Sequence, residues 1–420
     1  MTFRDEGIGV PTYAQVFRTP RYPAVFAVAA LSMWGDYIAR VTIAAVVYER
    51  TRSPLATATT LAVSLLPTVF GRSLLGPLVD RIPYKWVLIA AHILRAACVI
   101  GLIALVGATA PLWSIFVLLF VLEAIGGAAT ASSMVLMTDL FDDRRMYARA
   151  MGLNAMSEQL NQAVGLAVGG GLVALVGART GLLIDFATFV IAAAVIGFVV
   201  QARPVTGEPS RGLVGFVRDL RSAGSDLARH PVLARLVVLS VCSALAIVAP
   251  EALAIPLAGQ SGWGGVLMAA PVAGAVMGIV LIGRRDVHRQ NAAIIPLALA
   301  MPVPLLATAL GPPLPVLAAL WFVSGMLQAF MVPLQATFTL VTSPAMRGRI
   351  FSLAGAVSVA AAGVFYLAAG WLGQWTSPPL GVAICAAVSL GLVAALGLHW
   401  PHGHVRDAVH SAYSPQRNAA

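Results

Sequence analysis

The sequence predicts an all-α polytopic membrane protein with twelve transmembrane helices in two pseudo-symmetric six-helix bundles. Three observations carry this. The chain has 420 residues, 59% hydrophobic and only 10% charged, with a mean hydropathy of +0.87; a soluble domain carries about 25% charged residues. Apolar stretches recur along it, each near the ~20 residues that cross a bilayer as a helix. The bases collect in the short connections between those stretches. The alternating ten-residue segments of an outer-membrane barrel are absent.

Residues 1–22 are mixed polar and read as a cytoplasmic segment without a cleavable leader. Twelve spans follow, near 23–49, 56–77, 86–108, 112–138, 148–176, 180–201, 232–258, 262–283, 292–311, 314–341, 348–374 and 378–399. They give an N-terminal bundle over 23–201, a linker over 202–231, a C-terminal bundle over 232–399 and a cytoplasmic tail over 400–420. With the N-terminus inside, 21 Lys and Arg fall in inner segments and 3 in outer ones. The positive-inside rule then predicts that both termini are cytoplasmic, and the plasma membrane is the expected location.

The net charge of +10 does not point to nucleic acid, because the bases are spread over the inner loops. Cys98, Cys242 and Cys385 lie in apolar runs, where cysteine acts as a small buried hydrophobe. The tail histidines His399, His402, His404 and His410 read as solvated, so neither metal nor cofactor is expected.

The linker opens with Pro204, Gly207 and Pro209. Leu213, Phe216, Val217 and Leu220 then recur at helix spacing beside Arg218, Asp219 and Arg221. This predicts an amphipathic helix on the membrane face. The two halves echo each other. Arg149 and Leu153 after the fourth span recur as Arg349 and Leu353 after the tenth, an offset of 200. Parallel halves of this kind hold a transporter's substrate path between them.

One hairpin, Gly76-Pro77-Leu78-Val79-Asp80-Arg81-Ile82-Pro83-Tyr84-Lys85, joins the second and third spans. It resembles the signature of the major facilitator superfamily, roughly G-x-L-x-D-R-x-G-R-K. Gly76, Leu78, Asp80, Arg81 and Lys85 match, while Pro83 replaces a glycine and Tyr84 a base. Asp219-Leu220-Arg221, Arg229-His230-Pro231 and Ile184-Asp185-Phe186-Ala187-Thr188-Phe189 are similar to the superfamily's drug:proton antiporter branch, with its macrolide-efflux and enterobactin-exporter-like members. The resemblance implies alternating access and a cytoplasmic gate formed by Gly76, Asp80, Arg81, Lys85, Arg347 and Arg349. In it, Asp80 meets the positive N-terminal end of helix eleven, a contact worth roughly 0.3–2 kcal/mol for the dipole part. In helix five, Gly165, Gly169 and Gly170 fit the antiporters' glycine motif, although Leu166 replaces its proline. Small residues there let helices pack closely.

Ionisable groups at membrane depth mark function by default. Asp36 and Arg40 share a face of helix one at i and i+4, as a static pair or as a switchable proton and substrate site. Glu123, near the middle of helix four, stands, by the resemblance and aligned through Gly127, where many relatives carry an arginine. It is the leading proton carrier, ahead of Asp36. Asn154, Glu158, Asn161 and Gln162 form a polar stripe on helix five, matched by Gln328 and Gln335 on helix ten. With Arg40 and Tyr366 they are expected to line the substrate cavity; Trp34 is a further aromatic candidate. Asp185 and Glu251 read as lying nearer the outer ends, hydrated, with Glu251 a candidate at the outer gate. His92 and Arg95 are expected to snorkel inward or pair with an acid.

These features predict a monomeric secondary transporter in the lipid bilayer, exporting an amphipathic small molecule in exchange for protons. Nutrient uptake and a non-transporting sensor are the alternatives. No G-x-x-x-x-G-K-[ST] loop supports ATP-driven transport, and no H-E-x-x-H or usable G-x-S-x-G supports an enzyme.

Overall fold

A computed structural model describes residues 12–79, 82–108, 110–203, 212–259, 261–343, 346–398, 400 and 403. Helix α1, Tyr13–Arg18, starts on a capping box between Thr12 and Gln15. Arg21 turns the chain in a left-handed conformation (φ 72°) into α2, Tyr22–Thr51. Then come α3 (Pro54–Val79), α4 (Tyr84–Gly107) and α5 (Leu112–Leu140). Helix α6, Arg144–Val199, is two spans: Gly177, at φ 80° and ψ 166°, breaks it into two arms. Only glycine enters such a conformation without strain.

The amphipathic helix expected in the linker is α7, Gly212–Arg229. The second half holds α8 (Pro231–Ala258), α9 (Gly264–Gly283), α10 (Val287–Ala292), α11 (Ile294–Ala300) and α12 (Val303–Leu306). It closes with α13 (Leu314–Leu327), α14 (Met331–Val341), α15 (Arg347–Trp375) and α16 (Pro378–Leu398).

Nine of the described helical segments are long and apolar enough to cross a membrane, and 54–67 and 294–310 are two shorter apolar helices. The remaining expected span, 148–176, is the first arm of α6, whose polar stripe lowers its hydropathy. The ninth span is broken because Pro302 and Pro304 withhold backbone donors. A neighbouring side chain fills the gap, Ser324 Oγ donating to the Met301 carbonyl at 2.7 Å, and Trp321 Nε1 ties the same segment by donating to Thr308 Oγ1 at 3.1 Å. Freed backbone groups inside a membrane need such partners. The tenth span is interrupted likewise, by a 3-10 turn at Gln328–Phe330 just before Pro333.

In the first half α2 packs on α6 and α5 on α3 and α4; in the second α8 packs on α15 and α16, and α9 on α13. The halves meet where α3 lies along α15 and the first arm of α6 along α9. They are shut together at the end farthest from the start of α2. There Tyr48 donates its hydroxyl to the Pro256 carbonyl at 3.3 Å and Ser53 to Gln374 Oε1 at 2.8 Å. Gly170 and Gly265 lie backbone against backbone, and Gly370 sits on Leu55 and Ala58. One apolar core runs through this seam, from Val41, Ala58 and Leu166 to Leu253, Ile255 and Leu267.

Candidate functional site

A cavity of about 480 Å³ opens within the first half, walled by α2, α4, α5 and α6. It runs from Arg40 toward the end where α2 begins, past Val25, Met137 and Met151. Its polar wall holds Asp36, Arg40, His92, Arg95, Glu123, Asn154 and Glu158. Five of the expected residues therefore converge: Asp36, Arg40, Glu123, Asn154 and Glu158.

Their partners differ from the expected ones. Asp36 pairs across helices with Arg95, whose Nη2 donates to Oδ1 at 2.7 Å, rather than with Arg40 on its own helix. A helix places i and i+4 side by side, but here α4 brings Arg95 against Asp36 while Arg40 lies over the Tyr37 ring at 5.3 Å. Arg95 is itself buried; its guanidinium lies 4.3 Å over the Phe189 ring and against Gly126, which has no side chain to displace it. Arg40 feels the charges of both Glu123 and Glu251, one from each half of the chain.

Asp185 is not a hydrated outer residue. It is fully buried, because Gly35 on α2 has no Cβ and closes over Asp185 and Thr188. Its depth follows from Gly177: the second arm of α6 starts there, so Asp185 lies two turns inside and level with Gly35, next to Asp36. Glu251 likewise has a specific partner. Tyr366 donates its hydroxyl to Oε2 at 2.6 Å, joining α15 to α8, so Tyr366 is held in the second half rather than lining this cavity.

Gln162 and Gln328 do not line the cavity either. Three residues beyond Gln162, Gly165 is pressed against Tyr37 and Gly169 against Ile38 and Val41, so the α6 stripe runs into packed helix. The 3-10 turn that begins at Gln328 shifts the helix phase, leaving Gln328 half-buried and Gln335 exposed. Asn161 accepts from Trp34 Nε1 at 2.7 Å and donates to Ser157 Oγ at 2.9 Å. Asn154 accepts from the Tyr22 hydroxyl at 3.1 Å.

Of the hairpin, Gly76 lies in α3, while Asp80 and Arg81 lie outside the described residues. Lys85 Nζ donates to the Gly197 carbonyl at 2.8 Å, capping the end of α6. Arg347 opens α15 and donates through Nε to the Thr342 carbonyl at 3.2 Å; Arg349 is exposed. No cluster of three or more metal-ligating side chains occurs among the described residues.

The sequence profile of the Major Facilitator Superfamily matches residues 25–289. A bacterial homologue of the human lysosomal transporter Spinster, in an inward-facing and unoccupied conformation, superposes with a TM-score of 0.64 at 16% identity, over 94% of this chain and 99% of its own. The nucleoside transporter NupG gives 0.66 at 14% identity, over 90% and 98%. At such identities the likeness is one of fold. No curated protein matches the sequence.

The chain belongs to the Major Facilitator Superfamily. It is a multi-pass secondary transporter of a small-molecule substrate, not an enzyme.

Proposed function

We propose that this protein couples proton movement to the export of an amphipathic small molecule by alternating access. The observation that carries the reading is the charge balance of the buried cluster on and behind the cavity wall. Apart from the exposed Glu158, Asp36 and Glu123 on the wall and Asp185 behind it stand against two guanidiniums, Arg40 and Arg95, so this cluster is neutral when it holds one proton. Uncompensated charge at membrane depth is costly, which gives the cluster a reason to bind and release that proton. A proton moving inward down ~100 mV gains about 2.3 kcal/mol from the field.

The closed seam supports an inward-facing state once the positive-inside count is applied. That count puts Tyr48, Ser53, Pro256 and Gln374 outside, both termini in the cytoplasm, and the cavity toward the cytoplasm. The plasma membrane and a monomer are part of the same proposal. In it, Glu123 and Asp36 exchange the proton, and Arg40, Asn154 and Glu158 meet the substrate, with Gln162, Gln328 and Tyr366 engaging in other states. Asp80 closes the cytoplasmic gate against Arg347 and Arg349, backed by Gly76, Arg81 and Lys85. Export, and drug or natural-product substrates, rest on the antiporter-branch resemblance.

The test is flux in proteoliposomes under an imposed pH gradient, with a panel of fluorescent amphipathic dyes, comparing the parent with Glu123→Gln. Gradient-driven flux in the parent, abolished in the variant while dye exchange persists, supports the reading. Flux indifferent to the gradient removes proton coupling. Accumulation in the direction of the proton gradient favours uptake over export.

A further inference from the structure

We infer that Asp185 is the carboxyl that stores the proton, and that Arg95 is shared between Asp185 and Asp36 as the proton leaves and returns. The inference rests on the proton-coupled reading above and goes beyond it in naming the storage site and the exchange.

Three features of the site converge on Asp185. It is 0% exposed, and both carboxyl oxygens are enclosed without a hydrogen bond among the described residues. The Thr188 hydroxyl, one turn on, donates to the Asp185 backbone carbonyl at 2.7 Å instead of to the carboxyl. An ionised carboxylate with no donor is among the costliest groups to bury, and such a group takes up a proton instead. The other two acids are better served. The Asp36 side chain is 26% exposed and paired with Arg95, and Glu123 lines the cavity.

The charged and titratable groups around Asp185 come from three helices. Asp36 and Arg40 stand on α2, His92 and Arg95 on α4, and Glu123 on α5; the charges of Asp36, Arg95 and Glu123 act on Asp185 directly. Arg40 Nε and His92 Nδ1 are also buried without a hydrogen bond, but Arg95 is the base whose charge acts on Asp185. Its Nη2 is committed to Asp36, but its buried Nε makes no hydrogen bond. When the Asp185 hydroxyl gives its proton to a water of the cavity, the carboxylate left behind draws Arg95 over. Asp36 is then released into the cavity beside Arg40. Reprotonation of Asp185 returns Arg95 to Asp36. The proton thus alters the charge that the cavity shows to a substrate, although the carboxyl that stores it lies outside the cavity lining.

Infrared difference spectroscopy on the purified full-length protein reads this without any substrate. The parent is expected to show the carbonyl stretch of a protonated carboxyl at neutral pH, fading as the pH rises. Asp185→Asn is expected to remove that band. Where Asp185→Asn does not fold, Asp185→Glu serves, with the band kept but moved in frequency. A band unchanged by either Asp185 variant, or its absence from the parent, overturns the assignment. If the band behaves as expected while gradient-driven flux fails in the parent, the transport reading fails and the storage site stands as a structural proton.

Discussion

Arg95 on α4 reaches Asp36 on α2 with its Nη2 2.7 Å from Oδ1, and this ion pair ties the third span to the first beneath the cavity. Removing one partner of a buried pair leaves a charge with no counterpart, which costs about 3–5 kcal/mol. Asp36 keeps some contact with the cavity, so the lower end applies. Arg95→Ala is expected to lower stability by about 3 kcal/mol. Thermal unfolding in detergent measures it. Asp36→Asn on top of Arg95→Ala should recover part of the loss, and a strictly additive pair of losses would contradict the pairing.

Gly170 and Gly265 predict a conformational phenotype. A Cβ on either would land on the other's backbone, so the seam between α6 and α9 cannot close around it. Overpacking costs about 1–3 kcal/mol, which shifts a two-state equilibrium by roughly 5–150-fold. Gly170→Val is expected to favour the state in which this end is open. Accessibility of a cysteine placed at Ser53 to a membrane-impermeant thiol reagent should rise with it. Unchanged accessibility would mean that the seam yields without opening.

Tyr366 and Glu251 form the other polar tie, inside the second half. Glu251 Oε1 makes no hydrogen bond among the described residues, so the Tyr366 hydroxyl is the bond the carboxyl depends on. Tyr366→Phe leaves that carboxyl without a donor, at a cost of about 1–3 kcal/mol. Tyr366→Phe combined with Glu251→Leu should lose less than the two single losses together, as judged by denaturation midpoints.

The proposed gate makes a separate prediction. If Asp80 closes it, Asp80→Asn is expected to impair flux while the protein still inserts at parental levels, because an amide cannot supply the charge that a helix N-terminus and an arginine favour. Flux equal to the parent's would remove Asp80 from the gate.

The sequence alone determined the class of fold, because its signals are local. Hydropathy, loop length and the placement of Lys and Arg each act within one span or one connection, and lipid enforces them span by span. The glycines of helix five were legible for the same reason: a residue with no side chain marks a close approach even when its partner is unknown. Their partners, Tyr37, Ile38, Val41 and Gly265, came from the tertiary structure.

The pairing of charges was decided only by that structure. Spacing put Arg40 beside Asp36, yet an ion pair forms between whichever groups the packed helices aim at each other, and α4 aims Arg95. Asp185 looked peripheral when counted from the end of its span. It became the most enclosed acid of the cluster once Gly177 set the start of its helix and Gly35 let α2 settle over it. The stripe of Gln328 and Gln335 was lost because a 3-10 turn changes the period that sequence counting assumes. Periodicity fixes which face of a helix a residue occupies; what that face meets is settled by where the next helix lies, and no single span carries that information.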